Sequence, residues 1–166
     1  PEVLELINDY AAKGIMLPRT EFEMSEAIRD FTVIEDDGRL LGCGALHFYT
    51  PQIAEIRSLA VHEHAKTHGV GRKVVEALVR EAGEYELDAV FAFTYVVEFF
   101  QKVGFHVVER GVLPLKAWKD CLRCPKFQHC DETAMRKVLK PGAELHPPRN
   151  GSEDLVQLPV PAGAEA

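Results

Sequence analysis

Apolar residues recur along this chain in two alternating rhythms. Residues 1–13 place Val3, Leu6, Ile7, Tyr10 and Ala11 on one helical face, and Gly14 follows as a terminator. After the apolar loop Ile15 to Leu17 and the pair Pro18–Arg19, a short helix is predicted with Met24, Ala27 and Ile28 turned inward. The rhythm then shortens. Residues 31–35 and 40–49 read as strands joined through Asp36, Asp37 and Gly38, a step that favours a tight hairpin, and residues 53–61 form a third strand after Pro51. The pattern lengthens again at Val70, Val74, Val75, Leu78, Val79 and Ala82, a helical stripe entered through Gly69 and Gly71. A buried-strand run over 89–94 and a short helical pattern over 95–102 complete the periodic part.

Composition narrows what such a chain can do. With 166 residues and 46% hydrophobic content it suits one domain with a core, residues 1–140, followed by a tail, 141–166, rich in Pro and Gly. Leu155 to Val160 is an apolar patch in that tail, able to dock on the domain or on another chain. A net charge of −7 argues against nucleic acid as partner. The apolar runs fall short of the ~20 residues of a membrane span, and no leader pattern is visible, so a cytoplasmic protein is expected. Four cysteines, three of them in residues 121–130, fit a reducing compartment better than a disulfide framework. Cys121, Cys124 and Cys130, spaced C-x2-C-x5-C beside His129, could hold zinc, stay as reduced thiols or form a redox pair; a single CxxC is an incomplete zinc signature. His62, His64 and His68 match no zinc spacing, so no metal is expected there.

Chemistry concentrates where the third strand runs into the glycine turn. Strict alternation puts Glu55, Arg57 and Leu59 on one face and Ile56, Ser58 and Ala60 on the other. Two charges on one face of a central strand either pair with each other or serve a site, Glu55 as a base and Arg57 as a carboxylate anchor. His47 reads as a satisfied or exposed strand histidine and Cys43 as a small buried hydrophobe. The GxG turn ahead of a helix suits a phosphate, because first-turn N–H groups lack helical partners, although a tight turn alone would explain the glycines. No third glycine follows for a Rossmann fingerprint, and no GxxxxGK for a P-loop.

The run from Lys66 to Gly71 following a strand that ends in Val61, with FQKVGF at 100–105, resembles the acetyl-CoA site of the GNAT acyltransferases. Lys66 stands where that family usually has Gln or Arg, and Phe100 where it usually has Tyr. GCGALH, EIRSLAV, VFAFTYVVEFFQKVGF and WKDCLRCPKFQHCDETAM extend the likeness, from Leu4 to Met135, to stand-alone amino-acid N-acetyltransferases of the N-acetylglutamate synthase type. The resemblance implies an α+β (mixed α/β) GNAT fold, a central, mostly antiparallel sheet flanked by helices, with the strand that normally precedes the first helix missing. It implies acetyl-CoA as cosubstrate, held by Leu59, Ala60, Val61, Lys66, Thr67, His68, Gly69, Val70, Gly71, Arg72 and Phe99. It implies direct transfer to the α-amine of an amino acid, foremost L-glutamate, as the first step of arginine biosynthesis.

In that reading Glu55 is the general base, Arg19, Arg57 and Thr94 contact the acceptor, and Tyr95 takes over the acid role that Phe100 cannot fill. Thr94 or water is the alternative proton source, since a CoA thiol resembling cysteine at ~8.5 leaves without strict need of an acid. A homodimer is left open. Two rival readings remain: a degenerate module that binds acetyl-CoA or arginine in a regulatory role, and an acetyltransferase for another amine. A cationic acceptor would be repelled by an arginine-lined cleft.

Overall fold

A computed structural model describes residues 1–113, 124–126 and 129–143 of the chain. Helix α1 (Glu2–Ala12) ends at Gly14, whose φ of 71° is the left-handed conformation expected of a helix-terminating glycine. Helix α2 (Glu21–Glu26) opens on a capping box. The Thr20 side chain accepts from the Glu23 amide at 3.2 Å, and the Glu23 carboxylate accepts from the Thr20 amide at 2.8 Å. Met24 is buried, but Ile28 is 53% exposed, against the inward position predicted for it. The helix stops at Glu26 and residues Ile28–Asp30 form a 3₁₀ turn, whose tighter winding rotates Ile28 to solvent.

Strands β1 (Phe31–Asp36) and β2 (Arg39–Thr50) form the predicted hairpin, with Asp37 and Gly38 both at positive φ (48° and 72°), the signature of a type I′ turn. Strand β3 is Ile53–Val61, helix α3 Val70–Glu84, strand β4 Ala89–Thr94 and helix α4 Val97–Lys102. Two strands were not anticipated, β5 (His106–Val107) and β6 (Thr133–Val138). Together they make a mixed sheet in the order β1-β2-β3-β4-β6-β5, antiparallel except for the β3–β4 pair.

The sheet buries both faces. On one, the α3 stripe Val70, Val74, Val75, Leu78 and Ala82 packs with Ile56, Val90, Phe100 and Phe105. Gly44 is what lets α3 lie this close to β2: a Cβ there would meet Val74 Cγ1 at 2.8 Å and Leu78 Cδ1 at 3.1 Å. On the other face Leu6, Ile7 and Met24 close over Cys43 and Ala60, and a separate cluster forms around Phe91, Leu113 and Ala134. Cys43 is fully buried, as predicted, and burial pushes its thiol up to about 12.

Between these two clusters the sheet opens. The β3–β4 ladder runs only from Ile53↔Ala89 to Glu55↔Phe91, so beyond Glu55 the two parallel strands part. The opening thus starts at the residue that the sequence marked as a base.

Candidate active site

A cleft of about 520 Å³ occupies the parted strands. Its walls are the α1–α2 loop (Gly14 to Arg19), β3 from Glu55 to Leu59, the segment Phe93 to Val96, and Arg110 with residues of the 124–132 region. Of the residues the sequence singled out, Glu55, Arg57, Leu59, Arg19, Thr94 and Tyr95 line it together.

A bulge in β3 builds this wall. Cys43↔Ala60 and Ala45↔Arg57 are successive partners, so the single residue Gly44 on β2 faces two on β3, Ser58 and Leu59. Ser58 takes φ 53°, a left-handed conformation uncommon outside glycine. The bulge reverses the alternation. Ala54 and Ile56 pack toward α3 before it, and Leu59 and Val61 do so after it, while Ala60 turns to α1. The expected faces are therefore corrected: Leu59 belongs to the α3 side, and Ser58 points to the α1–α2 loop. The Ser58 hydroxyl accepts from Arg19 Nε at 3.2 Å and Nη2 at 3.1 Å. Asn8 brackets the same arginine, donating to its carbonyl at 3.0 Å and accepting from its amide at 2.9 Å. Arg19 is thus held at the cleft by two elements, and strict alternation had hidden Ser58.

Glu55 is only 9% exposed. The Tyr49 hydroxyl donates to its Oε2 at 2.9 Å. His47, opposite Glu55 on β2, lies 2.8 Å from Asp30 through Nδ1, the satisfied strand histidine that was expected. Across the cleft, Lys126 Nζ donates to the Tyr95 hydroxyl at 3.1 Å and lies over its ring. Burial raises the Tyr95 phenol above its ordinary range, so it stays protonated near neutrality. Thr94 is buried and its Oγ1 accepts from the Val96 amide at 3.0 Å, just ahead of α4. Phe100 is a core residue, packed edge-on against Phe99 and Phe105.

Arg110, which the sequence gave no reason to single out, donates through Nη2 to the Glu132 carbonyl and lies 3.2 Å from Cys130 Sγ. Glu132 also lines the cleft, and burial raises its carboxyl above the usual range. Cys124 and Cys130 are free thiols on this wall; Cys121 lies outside the described residues, and among the described residues no cluster has the ligands for a metal.

The predicted cosubstrate residues form the far end of β3 and the turn into α3. Gly69 has φ 72°, where a side chain would be strained, and the first intrahelical amide bond after it is Lys73 to the Gly69 carbonyl at 3.1 Å. The amides of Val70, Gly71 and Arg72 precede that bond, as an anion site requires. A Cβ on Gly71 would touch Phe99 at 3.5 Å, so Phe99 stands over the turn. Lys66 and Arg72 are exposed and pair with Glu63 and Glu76, each at 2.7 Å. At Val61 the Tyr10 hydroxyl donates to the carbonyl at 2.7 Å and accepts from the amide at 3.3 Å, so α1 holds that point of the strand edge. Parted parallel strands, a main-chain edge and a left-handed glycine before a helix suit an acyl-CoA: an extended arm along β3 and a pyrophosphate at the turn.

Residues 3–105 match the Acetyltransferase (GNAT) family. The chain belongs to the GNAT acetyltransferases. Acetyl-CoA is accordingly its cosubstrate and N-acetyl transfer its chemistry. An uncharacterized N-acetyltransferase of Chlorobaculum tepidum is 42% identical over 137 residues, 82% of this chain and 88% of the relative. An amino-acid acetyltransferase of Mycobacterium tuberculosis is 36% identical over 112 residues, 66% of this chain and 64% of the relative. Among solved structures, N-acetylglutamate synthase from Neisseria gonorrhoeae, complexed with coenzyme A and N-acetyl-glutamate, superposes with a TM-score of 0.77 at 26% identity. That match covers 84% of this GNAT chain but 32% of the gonococcal one, so the chain spans about a third of that enzyme. Among the described residues no helix is long and apolar enough to cross a membrane.

Proposed function

We propose that this protein acetylates the α-amine of an amino acid, with L-glutamate the favoured acceptor, as in the first step of arginine biosynthesis. The observation that carries the reading is the meeting of Glu55, Arg19 and Arg57 in one cleft, where the strands part. A buried carboxylate suits removal of a proton from an ammonium group, and two guanidinium groups suit an acceptor with two carboxylates. The names of the mycobacterial and gonococcal relatives support the same class of acceptor.

In this mechanism the amino acid enters as its ammonium form, with Arg19 and Arg57 taking its carboxylates. Glu55 receives one ammonium proton, directly or through a water, the freed amine attacks the thioester carbonyl, and the nitrogen gives its second proton to water as the tetrahedral adduct forms. The carbon–sulfur bond then breaks, and Tyr95 protonates the departing thiolate. Lys126 donates to the Tyr95 oxygen, and the Asp131 carboxylate accepts from the phenol, so the proton that Tyr95 gives up lies on the side of Asp131. No covalent enzyme intermediate is needed, and Cys124 and Cys130 have no role in the transfer.

Purified protein supplied with acetyl-CoA and each of the 20 amino acids tests this through release of free thiol. Glutamate is expected to give the fastest turnover. Release with a polyamine instead would overturn the acceptor assignment. No release with any acceptor would favour a regulatory binding module, the reading that Phe100 in place of tyrosine supports.

A further inference from the structure

The second irregularity of the β2–β3 ladder lies directly beside the base. Between Phe48↔Ala54 and Thr50↔Ile53, strand β2 carries one extra residue, Tyr49. By ordinary strand alternation Phe48 and Tyr49 go to opposite faces, and Tyr49 shares the face of His47 and of its partner Glu55. Phe48 meets Tyr85 at the end of α3, while the Tyr49 ring is wedged between His47 (centroids 5.1 Å, edge-on) and Phe91 (5.6 Å, tilted). A ring fixed from two sides has little rotational freedom, and its hydroxyl donates to Glu55 Oε2 at 2.9 Å.

We infer that Tyr49 is a positioning residue for the base, holding Oε2 of Glu55 so that the other carboxylate oxygen is presented to the acceptor amine. The inference rests on the proposed role of Glu55 and extends it to a residue outside the acceptor pocket. A hydrogen bond from a neutral phenol to a carboxylate favours the charged form of the acid, the form that accepts a proton. It also restrains the rotamer of the base at the cleft wall.

Other groups contribute to the field at Glu55. From β2 there is His47, with Asp30 behind it, and on its own strand Arg57; the α1–α2 loop supplies Arg19. The opposite wall brings the thiols Cys124 and Cys130, the phenol of Tyr95, and the charges of Arg110, Lys126 and Glu132. The substitution that isolates Tyr49 from all of these is Tyr49→Phe, which keeps the wedged ring and removes only the hydroxyl.

The test is the pH profile of kcat/KM for acetyl transfer in wild type, Tyr49→Phe, Glu55→Gln and the double variant. Tyr49→Phe is expected to lower kcat about ten-fold, the scale of one hydrogen bond to a charged group. It should also move the acidic limb to higher pH, because Glu55 then holds its proton more tightly, with KM for acetyl-CoA unchanged. In the Glu55→Gln background the same change is expected to add little further loss. An unmoved acidic limb with normal kcat in Tyr49→Phe, while Glu55→Gln is impaired, would reduce Tyr49 to packing and leave the base assignment standing. Full activity in Glu55→Gln would overturn both.

Discussion

Ser58 shows how much a single backbone angle decides. Its left-handed φ costs of the order of 1 kcal/mol or more for a residue with a Cβ, and in exchange its hydroxyl meets both Nε and Nη2 of Arg19. If Arg19 holds an acceptor carboxylate, Ser58→Ala should raise KM for the amino acid roughly three- to ten-fold with a smaller effect on kcat, read from initial rates at saturating acetyl-CoA. Glu132 makes a different prediction. Burial raises its folded-state pKa above the ordinary 4.5, so the proton is bound more tightly folded than unfolded. The stability this confers is fully present below pH 4.5 and is lost as pH rises through the folded-state value. Glu132→Gln cannot ionise, and it should be more stable than wild type at neutral pH but not below 4.5, by urea denaturation on either side of that window. Neither residue was legible in the sequence: Ser58 fell on the wrong face under strict alternation, and Glu132 is one acid among 26 Asp and Glu.

Elements divide by how local their determinants are. The β1–β2 hairpin, the stop of α1 at Gly14 and the α3 stripe follow from neighbouring residues, and the structure has them where the pattern put them. The inward turn of Ile28 failed because helix α2 ends a residue too soon and tightens. Strand β6 was missed because its partners are distant: β4 on one side and β5 on the other supply the pairing that its own sequence only hints at. Helix α3 lies close on β2 at Gly44. Gly44→Ala forces a methyl to within 2.8 Å of Val74 and 3.1 Å of Leu78, both fully buried, so it should cost about 1–3 kcal/mol. Thermal unfolding would measure the loss. Gly69→Ala makes no such clash; its cost is the strain at φ 72°, about 1 kcal/mol, together with weakened acetyl-CoA binding if the turn holds the pyrophosphate.

For the molecule as a whole, the site is a gap in a sheet, and whatever fills the gap ties its two halves together. Acetyl-CoA should therefore stabilise the fold, by about 2.7 kcal/mol at a concentration 100 times Kd, and slow amide exchange in β3 beyond Glu55 and at the start of α3. Exchange measured by mass spectrometry with and without the cosubstrate checks both regions. Protection confined to other elements would remove the turn at Gly69 from the binding site.

Helical and strand periods, the Asp37–Gly38 turn and a glycine step before an amphipathic helix are written in adjacent residues, so the sequence by itself determined the order of elements from α1 to α4, the family likeness and the strand on which Glu55 and Arg57 lie. The convergence of side chains was decided only by the tertiary structure. Arg19 reaches Ser58 across 39 residues, Lys126 reaches Tyr95 across 31, and Tyr49 meets Glu55 because β2 pairs with β3 so that His47, two residues before Tyr49 on the same face, lies opposite Glu55. The physical reason is register: a bulge changes which face each later residue occupies, and pairing between distant strands sets where it falls.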